Sequence, residues 1–600
     1  MKHEIENIRH SFAHLLAAAV KNLYPAVKFG IGPTIENGFY YDFDNIELSD
    51  KELPKIQKEM VKIARQGHEF KFEEWDANKS KEHFRKLNQP YKIELIENLV
   101  KEDPAKNSKV GMVHTGDALL DLCRGGHVEN TKDLPVNAFQ LTRVAGAYWR
   151  GDEKRPMLTR VYGLAFNTKD ELEKYLTLQK EAEKRDHKKL GKELGLFIFS
   201  ELVGPGLPLF TPKGAKVRKI LTDFVENLER QNGYEEVWIP HITKPDLYKT
   251  SGHLEKFKND LFYINGSPKN PEQSEFILKP MNCPHHTQIY KSQMRSYKDL
   301  PVRFFETTTV YRNEQAGELG GLTRVRSITQ DDGHVFMRED QIAQEFKAII
   351  KIQQTLAKAV NLKDYWIRLS LRDEKNKGAY IGDDKTWQNA QREMEQLLKD
   401  HAINYESKQG EAAFYGPKMD FIARDSIGRE WQFSTIQLDF NLPERFGLEY
   451  VSEDGSKKTP IMMHRAFMGS VERFMAMLIE HYAGAFPLWL APEHIWIVPV
   501  SEKFNDYAQK VSEMLEEEYG KNAAQETPKL RLSIKSQNET LPKKIRAGQI
   551  QKVPYILIVG EREQNAQAIA VRDREKGDLG LSTIKEFVIN VKLELQQVNK

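Results

Sequence analysis

Cysteine is almost missing from this chain: Cys123 and Cys283 are the two in 600 residues. That excludes a disulfide framework and leaves each thiol to be judged as a buried group or as a ligand. No apolar run approaches the roughly 20 residues that span a bilayer; runs such as 495–500 and 555–559 are strand-sized. Residues 1–9 are charged and polar and carry no hydrophobic signal core, so a cytoplasmic protein is expected. An excess of one charge is also lacking, since 89 Lys and Arg stand against 87 Asp and Glu for a formal net charge of +2. No global polycation draws the chain to nucleic acid, and any RNA contact must come from a local patch. What remains, 40% hydrophobic and 29% charged, is an ordinary globular balance. The length is enough for about three to five domains.

The chain changes grammar along its length. Ile8, Phe12, Leu15, Leu16 and Val20 recur at helical spacing and predict a helix over 5–23. Gly30, Gly32, Pro33 and Gly38 then interrupt the chain before the aromatic strand 39–41. Residues 168–196 hold Lys, Glu and Leu with no proline, and predict one long exposed connecting helix. Proline and glycine cluster at 204–212 before an amphipathic helix at 215–231. Strand patterns follow at 236–240, 302–311, 323–329 and 367–371 with few parallel crossovers, which favours an antiparallel sheet covered by helices. Beyond residue 492, strands at 495–500, 530–534, 555–559 and 568–571 alternate with helices at 503–519, 541–551 and 584–597. That pattern predicts a compact α/β domain of parallel type.

Two groups of residues suit a metal. His10 and His14, four apart, share a helix face, and Cys123 and His127 have the same spacing on the turn Arg124-Gly125-Gly126; together they make a four-ligand zinc set on ligand chemistry alone. Cys283, His334 and His464 each stand beside polar residues in widely separated stretches, and spacing does not establish that they meet. Arg312 in Tyr311-Arg312-Asn313-Glu314 follows a strand, and Arg473 in Gly469-Ser470-Val471-Glu472-Arg473-Phe474 opens an apolar helix. Guanidinium suits phosphate oxygens and stays charged at any working pH.

Arg312-Asn313-Glu314, Gly469 to Phe474, and Pro240 closing Val237-Trp238-Ile239 resemble motifs 2, 3 and 1 of class II aminoacyl-tRNA synthetases. MNCPHH from Met281, TQDDGH from Thr329, FYGPKMDF from Phe414, QLDF from Gln437 and HRAFMGSVERF from His464 are similar to the threonyl-tRNA synthetases. The resemblance runs from His10 into the last domain with every motif in order. It implies an α+β multidomain chain: an α+β editing domain at 1–167, a linker helix at 168–196, a class II catalytic domain at 197–487 and an α/β anticodon-binding domain at 493–600. The catalytic domain would be an antiparallel sheet with flanking helices. Many bacterial members carry a ubiquitin-like domain before the editing domain, and this chain, beginning at the editing helix, is expected to be without one.

The resemblance further implies residue roles. Cys283, His334 and His464 would hold one zinc ion per subunit, which takes threonine by its amino and hydroxyl groups and so rejects valine, which a hydrophobic pocket separates only weakly. Gln330, Asp332, Tyr415 and Gln437 would surround the amino acid. Arg312 would grip the α-phosphate of ATP, Arg473 the γ-phosphate with Mg²⁺ assisting, and Glu314 the adenine edge; Gln432 would lie near the nucleotide or the transferring group. His253 would help transfer to the tRNA ribose. His10, His14, Cys123 and His127, with Asp121 and Lys92, would position water to hydrolyse seryl-tRNA, although the family usually has proline where Gly126 stands. Asn538, Glu563 and Arg572 would read the anticodon of tRNA(Thr), with Lys543, Lys544, Arg546 and Lys552 as a phosphate-facing patch. A homodimer is implied around Pro240. An RNA-binding regulator without catalysis and a stand-alone editing hydrolase stay open as alternatives; pyrophosphate exchange, deacylation and filter binding separate the three.

Overall fold

The structure is a computed structural model and describes residues 4–102, 109–152, 154–265, 269, 275–401, 403–425, 427–521 and 529–596. The chain divides into two compact units, residues 1–180 and 181–600.

The first unit opens with α1 (Ile5–Leu23), on which Ile8, Phe12, Leu15, Leu16 and Val20 are buried as the spacing predicts. Strand β1 (Gly38–Asp44) follows, then α2 (Leu53–Gln66), β2 (Phe70–Asp76), α3 (Pro90–Glu102), β3 (Lys109–Thr115), β4 (Leu119–Leu122), β5 (Phe139–Tyr148) and β6 (Met157–Ala165). One antiparallel sheet places β1 beside β6 and β6 beside β5, and a smaller one has the order β2-β3-β4. Phe39, Tyr41 and Phe43 alternate onto the buried face of β1 and join the α1 core.

The predicted linker helix is broken. Helix α4 (Lys169–Arg185) ends before Asp186, whose carboxylate accepts from the Lys188 and Lys189 amides and starts α5 (His187–Glu193). Asp is a strong helix N-cap, and His187 behind it is buried; this stretch is more than an exposed connector.

The second unit contains α6 (Pro212–Gln231), α7 (Cys283–Lys291), β7 (Val302–Tyr311), β8 (Ser327–Met337), β9 (Tyr365–Leu371), β10 (Lys418–Arg424), β11 (Glu430–Asp439), β12 (Ile461–Ala466) and α8 (Val471–His481). An eight-stranded sheet runs β7-β8-β12-β11-β10-β9, with Glu235–Glu236 added in parallel beside β7 and Tyr405–Gln409 in parallel beside β9. All pairings between β7 and β9 are antiparallel. The strand expected at 236–240 shrinks to Glu235–Glu236, overlapping it only at Glu236, and the one expected at 323–329 is displaced to 327–337, so that the QDDGH run lies inside a central strand. Alternation gives this sheet two faces: Val335 and Met463 join the main helix-covered core, and Phe336 and Met462 a second cluster with Cys283.

The same unit continues with β13 (Ile495–Pro499), α9 (Asn505–Gly520), β14 (Leu532–Ile534), α10 (Leu541–Ile550), β15 (Tyr555–Val559), β16 (Ile569–Asp573), β17 (Gly577–Ser582) and α11 (Ile584–Gln596). Its sheet order is β14-β13-β15-β16-β17, parallel for the first three strands and antiparallel for the last two pairings. The expected all-parallel pattern fails at its C-terminal edge. There Gly577 makes a short return and Gly577–Ser582, with two glycines among six residues, carries little strand signal.

Candidate functional site

Cys283, His334 and His464 converge. His334 and His464 are direct cross-strand partners in β8 and β12, and Cys283 is the first residue of α7. The Cys283 Sγ and one ring nitrogen of each histidine lie within 4.8 Å of one another, and all three residues are buried. His334 Nε2 stands 3.1 Å from His464 Nδ1. The far nitrogen of His464 meets Asp439 Oδ2 at 2.9 Å, the outer carboxylate partner that metal-bound imidazoles typically have. Burial pushes the Cys283 thiol up, with Asp332 and Asp439 adding to it; a cation at this point would favour the thiolate. The donor set therefore fits a metal ion and leaves coordination room for a ligand.

Around the trio, Asn282 Nδ2 donates to Asp332 Oδ2 at 2.9 Å, and Gln330 shares the Asp332 face of β8, opposite Thr308. The Tyr415 hydroxyl donates to Gln437 Oε1, and Gln437 is the cross-strand neighbour of His464. Gln432 donates to Asp420 Oδ1 at 2.7 Å, and Asp420 is also held by Lys418. His253 Nδ1 lies 2.8 Å from Ser251 Oγ, whose hydroxyl donates to the Tyr248 carbonyl, and the His253 ring is 5.1 Å from that of Phe414 and 6.1 Å from that of Tyr415. Burial lowers His253 to about 3, with His464, Arg312 and Arg445 adding, so it is a neutral imidazole able to accept a proton.

Arg312 extends from the end of β7, its Nη2 3.7 Å from Met281 Sδ. Arg473 is exposed in the first turn of α8, where Ser470 caps the helix. Glu314 is not an open acceptor in this conformation: Arg324 Nη2 pairs with its carboxylate at 2.7 Å. On the back of the sheet Arg465 pairs with Glu229 at 2.5 Å, both side chains fully buried.

The second group also assembles. Cys123 Sγ is 3.2 Å from His127 Nε2 and 3.5 Å from His10 Nε2, the His10 and His127 rings stack at 4.2 Å, and His14 meets His127 edge-on at 4.4 Å. The four ligand-type atoms again lie within 4.8 Å of one another. Burial pushes the Cys123 thiol up to about 11 and holds His10, His14 and His127 below their ordinary value; the pocket presents a thiol and neutral imidazoles. Lys92 Nζ reaches Asp121 Oδ1 at 2.6 Å and Tyr41 OH at 2.9 Å, and Tyr41 donates to Asp121 Oδ2 at 2.5 Å, all buried. Tyr41 escaped sequence reasoning, although alternation along β1 puts it on the inner face.

In the last domain the expected surface needs correction. Lys544 is buried and donates to the Pro499 carbonyl at 3.1 Å, so it does not face a phosphate. Glu563 is also buried, accepting from the Gly560 amide at 3.0 Å. Arg572 lies 3.4 Å from Asp578, and Asn538, Lys543 and Arg546 are not buried.

An antiparallel sheet of this order, with a phosphate-type arginine at the end of β7 and another in the first turn of the helix after β12, defines a class II aminoacyl-tRNA synthetase. Residues 262–482 match the tRNA synthetase class II core domain (G, H, P, S and T), 494–593 the anticodon binding domain, and 110–162 the threonyl and alanyl tRNA synthetase second additional domain. The threonine–tRNA ligase of Gloeobacter violaceus is 49% identical over 584 residues, 97% of this chain and 90% of that protein. That of Cytophaga hutchinsonii is 47% identical over 96% of this chain and 87% of its own. Among solved structures, the RNA binding domain of threonyl-tRNA synthetase from Cryptosporidium parvum Iowa II is similar with a TM-score of 0.62 and 33% identity, over 68% of this chain and 98% of that one. The chain belongs to the threonine–tRNA ligase family.

Proposed function

We propose that the chain ligates threonine to tRNA(Thr) through threonyl-adenylate and hydrolyses mischarged seryl-tRNA(Thr) in a separate pocket. The observation that carries this reading is the meeting of Cys283, His334 and His464, three residues from distant stretches, with one donor atom each within 4.8 Å. Those residues would hold one Zn²⁺ per subunit, supplying an electrophilic centre that binds an amino nitrogen and a hydroxyl oxygen together. Valine offers a methyl where threonine offers the hydroxyl, and is refused. Asp332, Gln330, Tyr415 and Gln437 orient the amino acid so that its carboxylate faces the α-phosphorus of ATP.

A carboxylate oxygen then bonds to that phosphorus as the bond to pyrophosphate breaks. Arg312 holds the α-phosphate and Arg473 the γ-phosphate, with Mg²⁺ accompanying the nucleotide; fixed cations stabilise the spreading charge. Glu314 reads the adenine after exchanging its Arg324 partner for the base, and Gln432 lies near the nucleotide. In the second step a terminal ribose hydroxyl of the tRNA attacks the carbonyl carbon and AMP leaves; neutral His253 assists the proton's removal.

Serine keeps both the amino and hydroxyl groups and lacks one methyl, worth about 1–3 kcal/mol of discrimination, so a hydrolytic pocket is needed. His10, His14, Cys123 and His127 position a water there; Asp121, Lys92 and Tyr41 fix the ester end of the substrate. Asn538, Arg572 and Glu563 read the anticodon, Glu563 after turning out of its cap. Trp238, 75% exposed beside Pro240, supports a homodimer across that edge. Among the described residues no helix is long and apolar enough to cross a membrane, and we place the enzyme in the cytoplasm. The test is threonine-dependent ATP–pyrophosphate exchange together with deacylation of seryl-tRNA(Thr): both are expected, and absence of exchange from metal-replete protein would defeat the reading.

A further inference from the structure

The helix break at Asp186 brings a histidine into the catalytic unit that no motif of the sequence singled out. His187 is 4% exposed. Its Nδ1 lies 2.7 Å from Glu480 Oε1, and its backbone amide donates to the same oxygen at 3.1 Å. Its other ring nitrogen, Nε2, accepts from the Leu322 amide at 3.1 Å. One donor and one acceptor are both used, which fixes the neutral tautomer with its proton on Nδ1.

The two partners belong to different halves of the nucleotide site. Glu480 lies in the last turn of α8, the helix whose first turn carries Arg473, and it is gripped from another side by Arg429. Leu322 lies in the loop that follows Arg312 and Glu314. That loop is a hairpin of hydrogen bonds: Arg312 N donates to Arg326 O at 3.0 Å, Arg324 holds the Glu314 carboxylate, and Arg326 donates twice to Glu314 O, at 3.0 and 2.8 Å. Its turn is Gly320–Thr323, closed by Thr323 Oγ1 donating to Gly320 O at 2.5 Å. At the apex Gly321 has φ +60, and a Cβ there would sit 2.4 Å from His187 Nε2; the backbone touches the imidazole so closely that only glycine fits.

We propose that His187 is a positioning residue for ATP: it pins the turn of the Arg312–Arg326 loop to the helix that carries Arg473, so that Arg312, Glu314 and Arg473 keep one mutual geometry. The proposal rests on reading those three residues as the nucleotide site. A rigid ring with a donor on one edge and an acceptor on the other is what the gap requires. Lysine or arginine offers no acceptor, and a carboxylate no donor.

Two substitutions separate the bonds, because asparagine places its amide near the Nδ1 position and glutamine near Nε2. His187→Asn keeps a donor toward Glu480 and leaves the Leu322 amide without its acceptor; His187→Gln retains an acceptor for Leu322. In pyrophosphate exchange, His187→Asn is expected to raise the ATP KM about tenfold, as for loss of one buried hydrogen bond, with the threonine KM changed less than twofold. His187→Gln is expected to recover most of the loss. Seryl-tRNA deacylation, whose residues lie in the other unit, stays at its original rate in both. Amide hydrogen exchange at Leu322 gives a second readout, faster in His187→Asn than in His187→Gln. Equal rises in the ATP and threonine constants, or unchanged constants with a lowered melting temperature alone, would overturn the proposal as a merely structural effect. If His187→Asn does not fold, Gly321→Ala carries the same test by pushing the turn off the ring, and an unchanged ATP KM there overturns it. Absence of exchange in the unsubstituted enzyme would instead overturn the nucleotide-site reading itself.

Discussion

Replacing Arg465 with methionine tests whether the strand carrying Asp332 and His334 is held in place from behind. The Arg465 guanidinium lies between the rings of Tyr234 and Phe467, 4.4 and 4.7 Å from their centroids, and donates to the Asp331 carbonyl at 3.0 Å. Asp331 in turn accepts the Phe467 and Met468 amides at 2.6 and 3.0 Å. Arg465 is the cross-strand partner of Gly333, where a Cβ would fall 2.0 Å from its Cζ, so the guanidinium lies flat behind the strand between Asp332 and His334. Removing it leaves Glu229 buried without its cation. Breaking one side of a buried ion pair costs about 3–5 kcal/mol, whereas replacing both partners with apolar groups is often near neutral. Burial pushes Glu229 up to about 8 despite Arg465, so protonation relieves part of the loss and the lower figure is expected. Native-state hydrogen exchange at the Phe467 and Met468 amides reads the change locally: about 3 kcal/mol corresponds to roughly 150-fold faster exchange. Adding Glu229→Leu should return it to within about tenfold of the original. Less than tenfold acceleration in Arg465→Met, or a double variant no better than the single, would refute the argument.

Other outcomes follow from the same geometry. Cys283→Ala should abolish both stoichiometric zinc, measured by elemental analysis, and threonine-dependent exchange, while ATP binding persists. Lys92→Met, which strands Asp121 in a buried pocket, should lower seryl-tRNA deacylation by at least about a hundredfold, the range of a lost proton-transfer or positioning group, and leave exchange within twofold. His253, at about 3 against an ordinary 6.5, takes up its proton first in the unfolded chain; its contribution to stability is complete above pH 6.5 and is lost as pH falls toward 3. Thermal unfolding of His253→Gln should accordingly weaken less between pH 7 and pH 5 than that of the unsubstituted chain. In the anticodon domain, Lys543→Ala and Arg546→Ala should each reduce the salt slope of tRNA binding by about 1, whereas Lys544→Ala should lower the melting temperature without that change.

Where periodicity and burial agree, the fold was legible from residues alone: α1 and β7 fall where their patterns put them. The QDDGH segment was not, because Asp331, Asp332 and Gly333 are poor strand formers; β8 exists there because its neighbours β7 and β12 hydrogen-bond it on both sides and Arg465 replaces the missing side chain of Gly333. The break at Asp186 did have a signal, a capping residue inside a charged helical run, which composition masked. No spacing could say that Cys283, His334 and His464 meet, since β8 and β12 pair over 130 residues of sequence. Resemblance named the trio; pairing and alternation explain why it assembles. Lys544 shows the opposite error, a basic residue in a basic run that is buried and whose ammonium serves a backbone carbonyl.

On the proposed reading, the two histidines facing each other across β8 and β12 would make amino-acid choice a matter of strand alignment. A slip of one position would turn both imidazoles into the oily interior and bring a glycine and a guanidinium forward in their place. Insertion or deletion of a single residue along either strand would separate the two imidazoles, so that only exchanges of side chain at fixed stations keep the trio together.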